Sequence, residues 1–264
     1  MQATVNGIQI AYADEGKGVP LVFVHGFPLS RGAWQKQMDA LRSSCRVIAP
    51  DLRGLGESEA GNGATTMAQF AQDIHGLLEQ LKTGPVVLIG HSMGGYVALA
   101  FAGQFQQMLR GLVLVGTKAG NDSPEAAAGR RTTAEKVKAE GAKVVVDAMA
   151  PKMLAPNNKD QKMAEQVRSF MAPSKPQGVI GALLGMAERP DSTAMLAGIK
   201  APTLAITGAD DIIIPPAESE KLAAAIRGAQ LKTIPNAGHL VAYEQAEEFN
   251  GVLKEWLSES KLAS

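Results

Sequence analysis

The hydrophobic rhythm of the chain changes along its length. Residues 2–5 and 8–12 alternate polar and apolar positions on either side of Asn6-Gly7. An Asn-Gly pair between alternating runs predicts an antiparallel hairpin, because both residues tolerate the positive φ of a tight turn. After the Gly-rich turn at 15–18 the pattern becomes continuous. Residues 21–24, 47–49, 86–89, 112–115 and 203–206 are unbroken or nearly unbroken apolar runs. Strands buried on both faces read this way, which predicts a mostly parallel sheet covered by helices. Helical stretches lie between most of these runs, at 33–41, 66–81, 93–106 and 217–226. A last strand at 231–234 and a last helix at 246–258 close a doubly wound α/β order.

From 121 to 196 the rhythm breaks. Residues 132–140, 142–149, 160–171 and 177–188 read as helices, punctuated by Pro151, Pro156, Pro173, Pro176 and Pro190. Val144-Val145-Val146 has strand propensity but sits within helical pattern. The expected organisation is a core of 1–120 and 197–264, with about eight strands, interrupted by a helical cap over 121–196.

Bulk properties narrow the class. A chain of 264 residues is long enough for one large α/β unit. Lys+Arg and Asp+Glu balance at 26 each, so nothing in the charge points to nucleic acid or an anionic membrane. The single cysteine, Cys45, precludes an intrachain disulfide and reads as a buried thiol. The first residues lack the basic and apolar regions of a secretory signal, and no apolar run is long enough to span a bilayer. A cytoplasmic enzyme is the expectation.

Candidate chemistry centres on Ser92. It stands in Gly90-His91-Ser92-Met93-Gly94-Gly95, between the apolar run 86–89 and a small-residue helical stretch. Strand, G-x-S-x-G, helix is the layout of a nucleophile elbow, where a tight turn lifts the serine oxygen out of the sheet. A serine hydroxyl needs a base, and the base needs an acid to fix its tautomer. Of four histidines, His91 points elsewhere on the turn and His75 lies on an expected solvent face of a helix. His25 and His239 follow strands, where sites gather in open α/β sheets. The order Ser…Asp…His favours His239. The acid belongs to a strand end before it, and Asp210, Asp211 and, less directly, Asp122 qualify. The loop His25-Gly26-Phe27-Pro28 supplies the second oxyanion donor: the backbone N–H groups of Phe27 and Met93 are the expected pair.

With these motifs in place, the chain resembles the α/β-hydrolase superfamily. The matching stretches are His25 to Pro28, Asp51-Leu52-Arg53-Gly54-Leu55-Gly56-Glu57-Ser58, Gly90 to Gly95, Gly208 to Pro215, and Gly238-His239. They occur in family order and cover nearly the whole chain. The family pattern G-x-x-D-x-x-x-P implies Asp211, not Asp210, as acid. The resemblance also implies that the helical segment is a lid, and that Asp51 and Arg53 brace their loop. Epoxide hydrolases and haloalkane dehalogenases of the superfamily carry an aspartate where this chain has Ser92, and Tyr12, Tyr96 and Tyr243 all fall outside the lid. Phe27-Pro28-Leu29-Ser30 is similar to cofactor-free bacterial haloperoxidases.

The expected reaction is hydrolysis of small to medium carboxylic esters through an acyl-enzyme, with no metal or organic cofactor. Lactones, including enol-lactones, perhydrolysis and carbon–carbon bond hydrolysis are the neighbouring alternatives. A small-molecule receptor that retains the triad is the alternative from another class. His25, Met149, Met153, Leu154, Met171 and Leu184 are the expected pocket residues, Met being an adaptable filler of apolar space.

Overall fold

In the computed structural model, whose described residues are 1–262, the hairpin and the apolar runs join one eight-stranded sheet. β1 (Gln2–Val5) and β2 (Ile8–Glu15) pair antiparallel around Asn6 and Gly7, with φ of 48° and 79°. β3 (Pro20–Val24), β4 (Arg46–Pro50), β5 (Val86–His91), β6 (Leu109–Val115), β7 (Thr203–Gly208) and β8 (Gln230–Ile234) are mutually parallel, and β2 joins them antiparallel along β4. The spatial order is β1-β2-β4-β3-β5-β6-β7-β8.

The continuous apolar runs have a direct explanation. Val22, Val24, Leu88 and Leu112 face one side of the sheet, while Leu21, Phe23, Ile89 and Val113 face the other. α1 (Gln35–Leu41) and α10 (Ala246–Glu259) cover the second side through Met38, Leu41, Phe249, Leu253 and Trp256. α2 (Met67–Gln80), α3 (Met93–Gln104) and α8 (Pro216–Ala225) cover the first. A one-residue slip of any central strand would exchange both sets, so the pattern fixes the register only jointly with these helices.

Between β6 and β7 lie α4 (Pro124–Glu140), α5 (Lys143–Met149), α6 (Gln161–Met171) and α7 (Pro176–Ala187). α4 begins at Pro124, earlier than the hydrophobic pattern predicts. Ser123 caps it by accepting from the Ala126 N–H at 3.2 Å, and Pro124 takes the first-turn position where its missing N–H costs nothing. Val144-Val145-Val146 is helical within α5, tertiary context overriding propensity. α7 docks on the core through Gly178, Gly181 and Gly185, one helical face without side chains. A Cβ at Gly178 would overlap the Gly54 carbonyl, and one at Gly185 would overlap the Thr65 carbonyl. The Thr65 N–H donates to Gly181 O at 2.9 Å. A four-residue helix, α9 (Val241–Glu244), follows β8. Among the described residues no helix is long and apolar enough to cross a membrane.

Candidate active site

The carboxyl ends of β3, β5, β6, β7 and β8 meet at one edge of the sheet, and each delivers a piece of the site. Ser92 follows β5 with φ 54° and ψ −116°, a conformation that a side chain adopts only under constraint. The constraint is visible on both sides. The Ser92 N–H donates to Val115 O at 2.9 Å, and Thr117 Oγ1 donates to Ser92 O at 2.8 Å. Glycine is required around the turn: a Cβ at Gly90 would overlap Gly94, and one at Gly94 would overlap the Val24 carbonyl. Met93 is fully buried, whereas Ser92 retains exposure.

His239 is buried, and its Nδ1–H donates to Asp211 Oδ2 at 2.8 Å. The other oxygen, Asp211 Oδ1, accepts from the Ile213 and Ile214 N–H groups at 2.8 and 2.9 Å. Burial alone would raise the Asp211 carboxyl, but the His239 hydrogen bond and charge and these two N–H groups outweigh it and hold it below the ordinary carboxylate value. Nδ1 therefore carries the proton, and the lone pair of His239 Nε2 is left without a hydrogen-bond partner among the described residues. It is Asp211, not Asp210, that faces His239. Asp122 is not bonded to His239; it lies among Lys118, Arg130 and Arg189.

The other histidines are held apart from chemistry. His91 Nε2–H donates to the His239 backbone carbonyl at 2.8 Å, tying the elbow to the loop of His239. Burial, reinforced by His239, lowers the His91 pKa to about 3, so its ring is neutral. His25 does not line the cavity. Its Nδ1–H donates to Gly26 O at 2.9 Å and its Nε2 accepts from the Leu52 N–H at 2.9 Å, so both ring nitrogens hold loops. His75 is half-buried and stacks on Phe105 at 4.0 Å rather than facing solvent. The two expected oxyanion donors, the N–H groups of Phe27 and Met93, have no acceptor among the described residues.

Ser92 opens into a cavity of about 190 Å³ walled by Phe27, Tyr96, Lys118, Asp122, Ala126, Arg130, Met149, Met186, Ile213 and Ile214. A larger hollow of about 510 Å³ lies beyond Tyr96, between α3 and residues 188–195, and does not reach Ser92. Of the expected pocket residues only Met149 lines the cavity. Met153, Leu154 and Met171 pack instead with Leu29, Phe170 and Leu240 in a separate cluster, and Leu184 packs against the main core. The loop 51–58 is structural: Asp51 accepts from the Arg31 N–H at 2.6 Å, from the Arg31 guanidinium and from the Glu57 N–H at 2.8 Å, while Arg53 grips Asp73 at 2.6 and 2.7 Å.

A match to the family model for the alpha/beta hydrolase fold spans residues 19–246. The chain belongs to the alpha/beta hydrolase family. Among solved members, an esterase from Thermogutta terrifontis with malate bound is 42% identical, with a TM-score of 0.95 and 98% of each chain covered. The enol-lactonase of Burkholderia xenovorans LB400 is 28% identical, with a TM-score of 0.89, covering 98% of this chain and all of that one (100%). A non-heme chloroperoxidase, CPO-A1 of Kitasatospora aureofaciens, is 30% identical over 97% of this chain and 98% of its own length. The soluble epoxide hydrolase of Corynebacterium sp. (strain C12) is 38% identical, but over only 47% of this chain and 45% of its own length.

Two residues of this hydrolase site carried little sequence signal. Thr117 follows β6, and the strand-end rule alone would have found it. Glu244, on α9, is buried and binds two segments at once. Its carboxylate accepts from the Gly238 N–H at 2.7 Å, the Ala155 N–H at 3.0 Å and Asn158 Nδ2 at 2.6 Å. It fixes the residue before His239 against the loop between α5 and α6.

Proposed function

We propose that the protein is a serine hydrolase that cleaves small carboxylic esters through an acyl-enzyme. The observation that supports this reading is the buried His239, bonded through Nδ1 to Asp211 and with Nε2 unpartnered, on a loop that His91 ties to the strained elbow of Ser92. His239 takes the proton of Ser92 as the oxygen attacks the ester carbonyl. The oxyanion is held by the N–H groups of Phe27 and Met93, each worth about 3 kcal/mol of barrier. His239 then protonates the leaving alcohol, and water releases the acid by the same route. The helices over 121–196 act as the lid that shapes the cavity.

The likeness to an enol-lactonase over nearly the whole chain favours lactones as the second substrate class, because the same site opens a cyclic ester. The test is initial-rate hydrolysis of p-nitrophenyl esters from acetate to octanoate, with Ser92→Ala in parallel. A cavity of about 190 Å³ holds roughly six waters at ~30 Å³ each, so the rate should peak among the short acyl chains. Rapid turnover lost in the variant supports the reading. Equal rates in both proteins would end it.

A further inference from the structure

Part of the cavity's wall is cationic, and the charge is not balanced. Lys118, Arg130 and Arg189 surround a single carboxylate, Asp122. Burial would raise that carboxyl, but the Arg130 hydrogen bond and the three positive charges outweigh it and keep it ionised. Asp122 and Arg189 have side chains only 3% exposed each, so they form the buried pair. Arg189 is further occupied by the Ala119 carbonyl and by the Tyr96 ring, 3.8 Å from its Cζ. Lys118 and Arg130 differ. Their side chains are 27% and 25% exposed, and both line the cavity that contains Ser92.

Their donors are also unfilled. Among the described residues, Lys118 Nζ has one polar partner, Asp122 Oδ1 at 3.5 Å. Arg130 directs Nε and Nη2 at Asp122, leaving Nη1 without an acceptor. The acid on the remaining side, Asp211, is committed to His239 and two backbone N–H groups. A pocket built only for an apolar acyl chain would gain nothing from two partly desolvated cations, whose burial costs free energy unless an anion compensates.

We infer that Lys118 and Arg130 form a carboxylate subsite beside Ser92, and that the preferred substrates are short esters or lactones bearing a free carboxylate. The substrate class rests on the serine-hydrolase reading above; the subsite itself does not. The cavity's size sets the spacing: a carboxylate separated from the scissile carbonyl by only a few carbon atoms fits, and a long chain does not. The guanidinium and ammonium groups would meet the carboxylate as charge-assisted hydrogen bonds, and the ester carbonyl would lie toward Phe27 and Met93.

The test compares monomethyl glutarate with its neutral isostere, in which an isopropyl group replaces the carboxylate. The wild type should show a kcat/KM ratio of about ten or more in favour of the anion. Lys118→Gln and Arg130→Gln should each lower that ratio by about fivefold or more. Asp122 keeps Arg189 and one further cation in either variant, and thermal melting checks that both remain folded. A ratio at or below one, or a ratio unchanged in both variants, overturns the subsite. Calorimetric titration of glutarate into Ser92→Ala protein is the turnover-independent arm. Binding that weakens about tenfold with either cation removed supports the subsite even where neither ester is cleaved, a result that would refute the hydrolase reading alone. No binding at millimolar glutarate overturns the subsite whatever the ester rates.

Discussion

Ser92 and Asp211 are held by backbone groups and His239 by the side chains of Asp211 and His91, and this gives their substitutions different signatures. Ser92→Ala removes the hydroxyl but leaves the elbow's glycines and the Thr117 bond, so ester turnover should fall by several orders of magnitude with little change in melting temperature. Asp211→Asn should cost about 10³–10⁴-fold in kcat, because the amide no longer enforces the Nδ1–H tautomer of His239. Asp210, whose side chain has no partner in the site, is the control: Asp210→Asn should stay within about twofold by the same reasoning. Parallel kcat measurements on the two variants decide it, and the reverse order would move the acid by one residue. Here the residues alone left Asp210 and Asp211 open, and only the resemblance to the family pattern implied Asp211, the aspartate that meets His239 in the fold. The pocket wall was much less legible. Met153, Leu154 and Met171 are as apolar as Met149, and only the docking angle of the inserted helices decides which of them meets the cavity. Lys118 and Arg130 stand in no motif, and only the fold brings them into the cavity of Ser92.

Among the elements, the central strands were legible because burial on both faces leaves an unbroken apolar run, and the hairpin because Asn6-Gly7 dictates its turn. The inserted helices were legible in kind but not in extent. α4 starts where Ser123 and Pro124 make a cap, a polar signal that hydrophobic periodicity does not register. α9 is too short to show a period at all. α7 gives the sharpest test of element packing. On helix propensity alone, Gly185→Ala should stabilise the protein by about 1 kcal/mol. The added methyl would overlap the Thr65 carbonyl, so we expect the opposite sign, a loss of about 1–3 kcal/mol from forced separation of α7 from the 63–65 loop. Denaturant melts of this variant beside Gly129→Ala, where nothing stands near the added methyl, separate packing from propensity.

For the whole molecule, two fully buried neutral histidines impose an acid limit. His91 is lowered from an ordinary 6.5 to about 3, chiefly by burial, and His25 is lowered by burial in the same direction. Between 6.5 and about 3 the unfolded chain binds a proton at His91 that the folded chain refuses, so this stability is complete above about pH 6.5 and is lost as pH falls toward 3; His25 adds to the loss in the same direction. The melting temperature should therefore decline across that window. His91→Gln, which can still donate to the His239 carbonyl, should flatten the decline, and an unchanged slope would assign the acid sensitivity elsewhere.

Glu244 has a different kind of consequence. Because one carboxylate holds both the loop of His239 and residues 155 and 158 between α5 and α6, the inserted segment and the His239 loop share one hinge pin. The inserted helices are thus not an interchangeable cassette. A chimera that exchanges 121–196 for the equivalent stretch of another hydrolase should gain a new cavity wall but lose the splint on its His239 loop, unless the graft carries partners for Glu244 with it.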